Sequence, residues 1–282
     1  MNLKEKIKKI LPISIYVYIT TLKAVHKIRK LKKKIKILDI LELKKIKNSD
    51  TLFILASGKS INLITDEEWK KIGVHDTIGM NFWFYHNFIP KIYVYEESLD
   101  KERNEVFYKN LERKKELYKN TLFIVKSLEN GLTFNKVPKI LLNNFRISNE
   151  IEGLYYSFDI IRKFFLIMSK KNKIFQLRGS VTYLLSLGYL MGYKNIVLCG
   201  VDLDSIDYFY EIPKYKEYEL PKNNMKNIHL TEEKRENKLP ISDIIIALNE
   251  EFKRKNIKLY IAKNIGMLKG KIDVLYNFEN CE

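Results

Sequence analysis

Residues 180–202 read SVTYLLSLGYLMGYKNIVLCGVD, and this stretch decides the fold. Ser180 to Met191 is apolar and of helical length. Gly192 ends it, because glycine takes the left-handed cap conformation without a steric penalty. Asn195-Ile-Val-Leu-Cys199 is a short, unbroken apolar run, which marks a strand covered on both faces. Gly200-Val201-Asp202 then leaves its carboxyl end. A buried helix feeding a buried strand is half of a βαβ unit.

The same alternation extends in both directions. Upstream, Thr51–Ala56 reads as a buried strand broken by Ser57-Gly58-Lys59-Ser60, and Asp66–Ile72 as a short helix. Asp76–Met80, Lys91–Tyr95 and Thr121–Val125 read as further strands, with charged helical character over Glu105–Asn120 and an aromatic helix over Gly153–Lys170. Downstream, Ser242 is placed to cap a helix with Ile245, Leu248 and Phe252 on one face and Lys253, Arg254 and Lys255 in its last turn. Ile257–Ala262 is a last strand. Strands alternating with helices predict an α/β fold with a mostly parallel sheet and helices on both faces. Between them, residues 205–240 form a loop rich in Tyr, Lys and Pro, too long for filler and suited to a lid.

Composition narrows the class. The 282 residues are 46% hydrophobic, with 18 Tyr and 15 Phe, ample for a packed core. Cys199 and Cys281 alone cannot make a disulfide scaffold or a cysteine-rich zinc module, and four His leave little for a His-built metal site. The net charge of +17 is concentrated: residues 1–50 hold 15 Lys and Arg against 4 Asp and Glu. In this basic arm, taken as residues 1–48, the apolar run Ile10–Leu22 is shorter than the about 17–25 residues of a membrane-spanning helix. No small-residue cleavage site follows it, so it does not read as a signal peptide. Beside the cluster Lys27, Arg29, Lys30, Lys32, Lys33, Lys34 and Lys36, it suits the surface of an anionic bilayer. Aromatic and basic residues do not interleave as a nucleic-acid groove requires, so no nucleic-acid partner is expected. The placement expected is cytoplasmic, peripheral at the inner face of the cell membrane.

Open parallel sheets bind ligands beyond the carboxyl ends of their strands. Four clusters are expected there: Ser57–Ser60, Asn81–Phe82, Glu96–Glu97 and Asp202–Asp204. Gly58-Lys59-Ser60 does not complete a P-loop, since Phe53 stands where the first glycine belongs. A short glycine turn at a helix start can still hold one phosphate through backbone N–H groups. Asp202-Leu203-Asp204 is a place where two carboxylates could hold a divalent metal against a diphosphate. His229, in the long loop, is the histidine placed to act as a general base.

In order along the chain, Phe53–Ile61, Asp76–Asn81, Lys91–Leu99, Arg178–Asp202 and Ile257–Tyr260 resemble the bacterial sialyltransferases that modify lipooligosaccharide. The likeness covers roughly residues 52–268. It implies a Rossmann-like glycosyltransferase domain over residues 50–282, a CMP-activated nonulosonic acid as donor, and a glycan of lipopolysaccharide, lipooligosaccharide or capsule as acceptor. It implies no metal or other cofactor. Donor contacts carry over to Ser57, Gly58, Ser60, Asn81, Arg178 and Ser180, with Gly200, Asp202 and Asp204 at the adjoining turn. Of the family's two lid tyrosines, which assist the departing phosphate, Tyr210 matches one. The other falls on Asp204, leaving Tyr208 as substitute. His229 matches the loop base. The family's donor-contacting Asn after the third strand is Glu96 here, and a carboxylate facing the donor there would repel its phosphate or carboxylate. If His229 is not the base, Tyr210 or Glu232 stands next.

Two other classes remain open on the residues. The Ser-Gly-x-Ser loop and Gly-Val-Asp turn also resemble pterin pyrophosphokinase-like proteins and their flagellin-glycosylation relatives, in which Asp202 would work with Mg²⁺. A catalytically inactive scaffold at the membrane surface is the third. A homo-oligomer is compatible with any of them.

Overall fold

A computed structural model describes residues 11–31, 36–98, 100–126, 136–215, 230–233 and 238–275. Nine parallel strands form its main sheet. In chain order they are β1 (Lys36–Ile37), β2 (Thr51–Leu55), β3 (Asp76–Met80), β4 (Ile92–Glu96), β5 (Leu122–Lys126), β6 (Phe145–Ile147), β9 (Asn195–Cys199), β10 (Lys258–Ile261) and β11 (Asp273–Val274). A second sheet pairs β7 (Ile151–Glu152) with β8 (Phe175–Gln176). The strand order is β1-β6-β5-β4-β3-β2-β9-β10-β11, and every neighbour is parallel. The chain winds outward from β2 to one edge, then returns to β9 and winds to the other. The direction therefore reverses between β2 and β9, and a crevice opens at such a switch point. The fold is α/β and Rossmann-like.

The seven helices of the described residues are α1 (Ile13–Leu31), α2 (Ile40–Lys45), α3 (Asp66–Ile72), α4 (Lys101–Arg113), α5 (Phe158–Lys170), α6 (Ser180–Met191) and α7 (Ile241–Lys253). Strand periodicity divides the apolar residues between two cores. Leu52, Ile54, Ile78, Val94, Ile196 and Leu198 face α5, α6 and α7 through residues such as Phe165, Leu184 and Leu248. Phe53, Leu55, Tyr93, Tyr95, Val197 and Cys199 face an aromatic layer that includes Trp83, Phe84 and Phe107.

The elements expected at residues 66–72, 76–80, 180–191 and 195–199 lie where the pattern placed them, and Gly192 has φ 82°. The helix expected over Glu105–Asn120 is α4, shifted toward the N-terminus. Asp100 caps it by accepting from the backbone N–H of Glu102 and Arg103, and a turn follows Arg113. Ser157 caps α5, so that helix begins after the expected Gly153.

Ser242 is not the cap of α7. It lies inside the first turn and donates its hydroxyl to Glu232 Oε1 (2.5 Å), while Glu232 Oε2 accepts from the Ser242 backbone N–H (3.1 Å). A carboxylate at a helix start meets both free N–H groups and the positive end of the dipole.

The expected boundary at residue 48 is not marked by a break in packing. Val17 and Leu43 are fully buried in the main core, β1 pairs with β6, and the Tyr16 hydroxyl donates to the Glu152 carbonyl (2.9 Å).

Candidate functional site

The crevice between β2 and β9 is closed by backbone contacts. The Ala56 N–H reaches the Cys199 carbonyl (2.8 Å), and the Gly58 N–H the Gly200 carbonyl (2.8 Å). A Cβ at Gly58 would lie 2.5 Å from Asp202 Oδ2, so this close approach requires glycine. Gly200 has φ 71°, and a Cβ there would meet Ile61 at 2.7 Å.

Asp202 braces the two loops. Its carboxylate is buried and accepts from the Ser60 backbone N–H (2.8 Å) and the Ser60 hydroxyl (2.5 Å). Burial pushes the Asp202 carboxyl up, only partly opposed by these two bonds. Ser60 is thus buried behind the loop. Asp204 is exposed. The geometry makes Asp202 a brace between the two loops. Among the described residues no group of three or more His, Cys, Asp or Glu is arranged to hold a metal ion.

A cleft of about 310 Å³ opens above this brace. Ser57, Gly58, Asn81, Glu96, Arg178, Ser180, Gly200, Asp202, Tyr208 and Tyr210 all border it, as do Phe82, Arg103 and Gln176. Residues spread from 57 to 210 therefore share one wall. Asn81 turns the chain after β3 in the left-handed region (φ 52°), a conformation asparagine tolerates better than most residues. Its side-chain Oδ1 accepts from the Glu96 N–H (3.2 Å), and its carbonyl from the Tyr93 hydroxyl (2.6 Å).

Glu96 does not face the cleft as a lone charge. Lys126 Nζ lies 2.9 Å from its Oε2, and the Ser180 hydroxyl donates to the same oxygen. Lys126 is 0% exposed, donates also to Gln176 Oε1, and lies 5.4 Å from the ring centre of Tyr183. Burial raises the Glu96 carboxyl. The Lys126 charge and the hydrogen bonds from Ser180, Lys126 and Gln176 outweigh it and hold the group below its ordinary value. The expected repulsion of an anionic donor by Glu96 is corrected accordingly: the carboxylate carries its own counter-ion.

Arg178 also has a left-handed backbone (φ 70°). Its guanidinium donates to the carbonyls of Leu239 (2.6 Å), Leu230 (3.4 Å) and Glu233. It ties the described segments 230–233 and 238–240, at the C-terminal side of the long loop, to the start of α6. At the loop's N-terminal side, the Phe209 N–H bonds the Ser57 carbonyl (2.9 Å) and Tyr208 bridges to Gly58. Tyr208 stacks on Tyr210, with ring centres 5.1 Å apart and planes 21° apart. Burial raises both phenols above their ordinary range, so both stay protonated at neutral pH.

His229 and Cys281 lie outside the described residues. Glu232, the alternative base, is buried and engaged in capping α7. Arg103, Lys126 and Gln176 are the site residues that sequence reasoning missed. Arg103 precedes the helix expected at Glu105–Asn120, and the signal that includes it is Asp100 as the cap. Lys126 falls one residue past the strand expected at Thr121–Val125 and closes β5.

No protein-family model and no curated protein matches the chain. Among solved structures, the sialyltransferase CstII from Campylobacter jejuni, in complex with the substrate analogue cytidine-5'-monophosphate, is similar to it with a TM-score of 0.44 and 17% identity. The alignment covers 82% of this chain and 86% of that one.

Proposed function

We propose that the protein is a glycosyltransferase that moves a sialic-acid-like nonulosonic sugar from a CMP-activated donor to a cell-surface glycan. The observation that carries this reading is the convergence of Ser57, Asn81, Arg178, Ser180, Tyr208 and Tyr210 on one cleft at the switch point of the sheet. Ser57, Asn81, Arg178 and Ser180 come from three separate stretches that carried the sequence resemblance, and Tyr208 and Tyr210 from the long loop that follows the last of these. They meet where an open parallel sheet offers its binding crevice.

The chemistry follows from the groups present. The bond between the anomeric carbon and the phosphate oxygen breaks, and its electron pair goes to the phosphate. Tyr208 and Tyr210 remain protonated and serve as hydrogen-bond donors to the departing oxyanion, not as bases. The acceptor hydroxyl forms the new bond to the anomeric carbon and gives its proton to a base, a role the sequence assigns to His229. The Asp202 oxygens accept from Ser60, so this reading routes no step through them.

Association with an anionic membrane surface belongs to the same reading. Helix α1 has two faces. Ile13, Tyr16, Val17 and Thr20 turn toward the domain, whereas Ile15, Tyr18, Ile19 and Leu22 are exposed at the same helical spacing. An outward apolar face followed by the Lys27–Lys36 cluster suits insertion at a headgroup boundary. No helix among the described residues is long and apolar enough to cross a membrane.

The test is a nucleotide panel read by thermal unfolding. A ligand that binds only the native state stabilises by about 2.7 kcal/mol at ~100 times its Kd. CMP should raise the melting temperature, and ATP with Mg²⁺ should not. A shift with ATP and Mg²⁺ alone would transfer the protein to the pyrophosphokinase-like class, and no shift with any nucleotide would support the inactive scaffold.

A further inference from the structure

Among the described residues, five charged side chains border the cleft: Glu96, Arg103, Arg178, Asp202 and Asp207. Four are engaged. Glu96 is met by Lys126 and Ser180, Asp202 by Ser60, and Arg178 by three backbone carbonyls. Asp207 accepts from the Ser205 hydroxyl (2.7 Å) and lies 3.7 Å from Lys59 Nζ. Arg103 differs. Among the described residues its side chain makes no hydrogen bond and no ion pair. Its guanidinium carbon lies 4.8 Å from the ring centre of Phe82.

This is a mounted charge. A guanidinium over an aromatic face is held by the ring quadrupole while its five N–H donors remain available. The mount is rigid: Arg103 sits in the first turn of α4, capped by Asp100, and Phe82 is buried against Tyr85 and Tyr210. The phenols of Tyr208 and Tyr210 border the same cleft, and the Arg103 charge is close enough to act on both. Two protonated hydroxyls and an uncommitted guanidinium offer several donors and no negative charge among them. We propose that Arg103, with Tyr208 and Tyr210, forms an oxyanion receptor that takes the phosphate of a bound nucleotide or the carboxylate of an acidic sugar.

In a transfer reaction this receptor would screen the charge that develops as the glycosyl–phosphate bond breaks and its electron pair moves onto the phosphate. The inference deepens the nucleotide-sugar reading. It rests on that reading for the choice of nucleoside and not for the anion.

Calorimetry on the full chain tests it. The wild type, Arg103→Gln and Arg103→Lys are titrated with CMP, cytidine, inorganic pyrophosphate, N-acetylneuraminate and its methyl ester, after unfolding curves have confirmed that each variant is folded. A charge-assisted contact of this kind corresponds to about 10- to 100-fold in affinity. CMP should bind the wild type more tightly than cytidine by about that factor. Arg103→Gln should remove most of the advantage without changing cytidine affinity, and Arg103→Lys should restore part of it. An Arg103-dependent preference for N-acetylneuraminate over its ester, with the CMP-to-cytidine ratio unchanged, would assign the receptor to the carboxylate. Arg103-dependent binding of pyrophosphate without binding of CMP or cytidine would keep the receptor and remove the cytidine reading. If no anion's affinity depends on Arg103, the receptor is overturned even where CMP binds. If no probe binds the wild type, both proposals fall.

Discussion

Lys126→Met removes the cation beneath Glu96, and its consequences can be worked out from the geometry. The ammonium and carboxylate are 2.9 Å apart, an attraction of about 6 kcal/mol at an effective dielectric of about 20. Desolvation offsets much of this, so removing one partner of a buried pair typically costs about 3–5 kcal/mol. The two partners are not equivalent. Glu96 is 32% exposed and can recruit water when Lys126 is gone, so Lys126→Met should cost about 2 kcal/mol. Lys126 is fully buried, and Glu96→Gln leaves it with Gln176 and the Tyr183 ring, so that change should cost about 3–4 kcal/mol. The double variant has no buried charge and should lie within about 1 kcal/mol of wild type, giving a coupling of about 4–5 kcal/mol. Urea unfolding of the four proteins at pH 7 reads the cycle. Glu96 is held below its ordinary value in the folded state, so its contribution is present above the unfolded pKa of 4.5 and is lost as pH falls through the folded value. Lys126→Met should abolish that acid loss. Single-variant costs that simply add in the double variant would refute the ion pair as the reason Glu96 is tolerated in the cleft.

Three further outcomes are expected. His86 has its pKa lowered to about 4 from 6.5, first by burial and then by Lys214 and Lys114, and its Nδ1 accepts the Phe88 N–H (3.0 Å). The native state therefore resists protonation, stability should fall as pH drops from about 6.5 to about 4 by up to ~3 kcal/mol, and His86→Gln should flatten that window in a pH series of unfolding curves. Replacing Ile15, Tyr18 and Leu22 together by Ser should release the protein from anionic vesicles in a sedimentation assay while leaving its unfolding midpoint unchanged, because none of the three is buried; retained binding would reject the outer face of α1 as the contact. His229→Ala should lower turnover by ~10²–10⁴-fold with CMP affinity preserved, since the base serves the acceptor; wild-type turnover on a working acceptor would remove it from the mechanism.

The centre of the fold was legible because its signals are local. Ser180–Met191 and Asn195–Cys199 are uniform apolar runs with a glycine stop between them, and parallel strands covered on both faces leave such runs. The edges were not. β1, β7, β8 and β11 have two residues each, too few to carry a period, and only the sheet's geometry defines them. In the candidate site, glycines and the Asn81 turn stood out because their backbone requirements are written in residue type. Lys126 did not, since the partner that makes its burial tolerable lies on another strand, 30 residues away in sequence. Asp202 stood out because a carboxylate after a buried strand reads as a ligand; its bracing contact with Ser60 spans the switch point and is not written in residue type.

The reaction itself is the most direct test. The full chain, incubated with CMP-sialic acid with and without a lipooligosaccharide acceptor, should release CMP faster than buffer, faster still with acceptor, and should transfer the sugar to the glycan. Release should fall sharply in Tyr210→Phe, which keeps the ring packing against Phe82 and Tyr85 and removes only the hydroxyl. CMP release no faster than buffer, from a protein that binds CMP and is folded, would contradict the account.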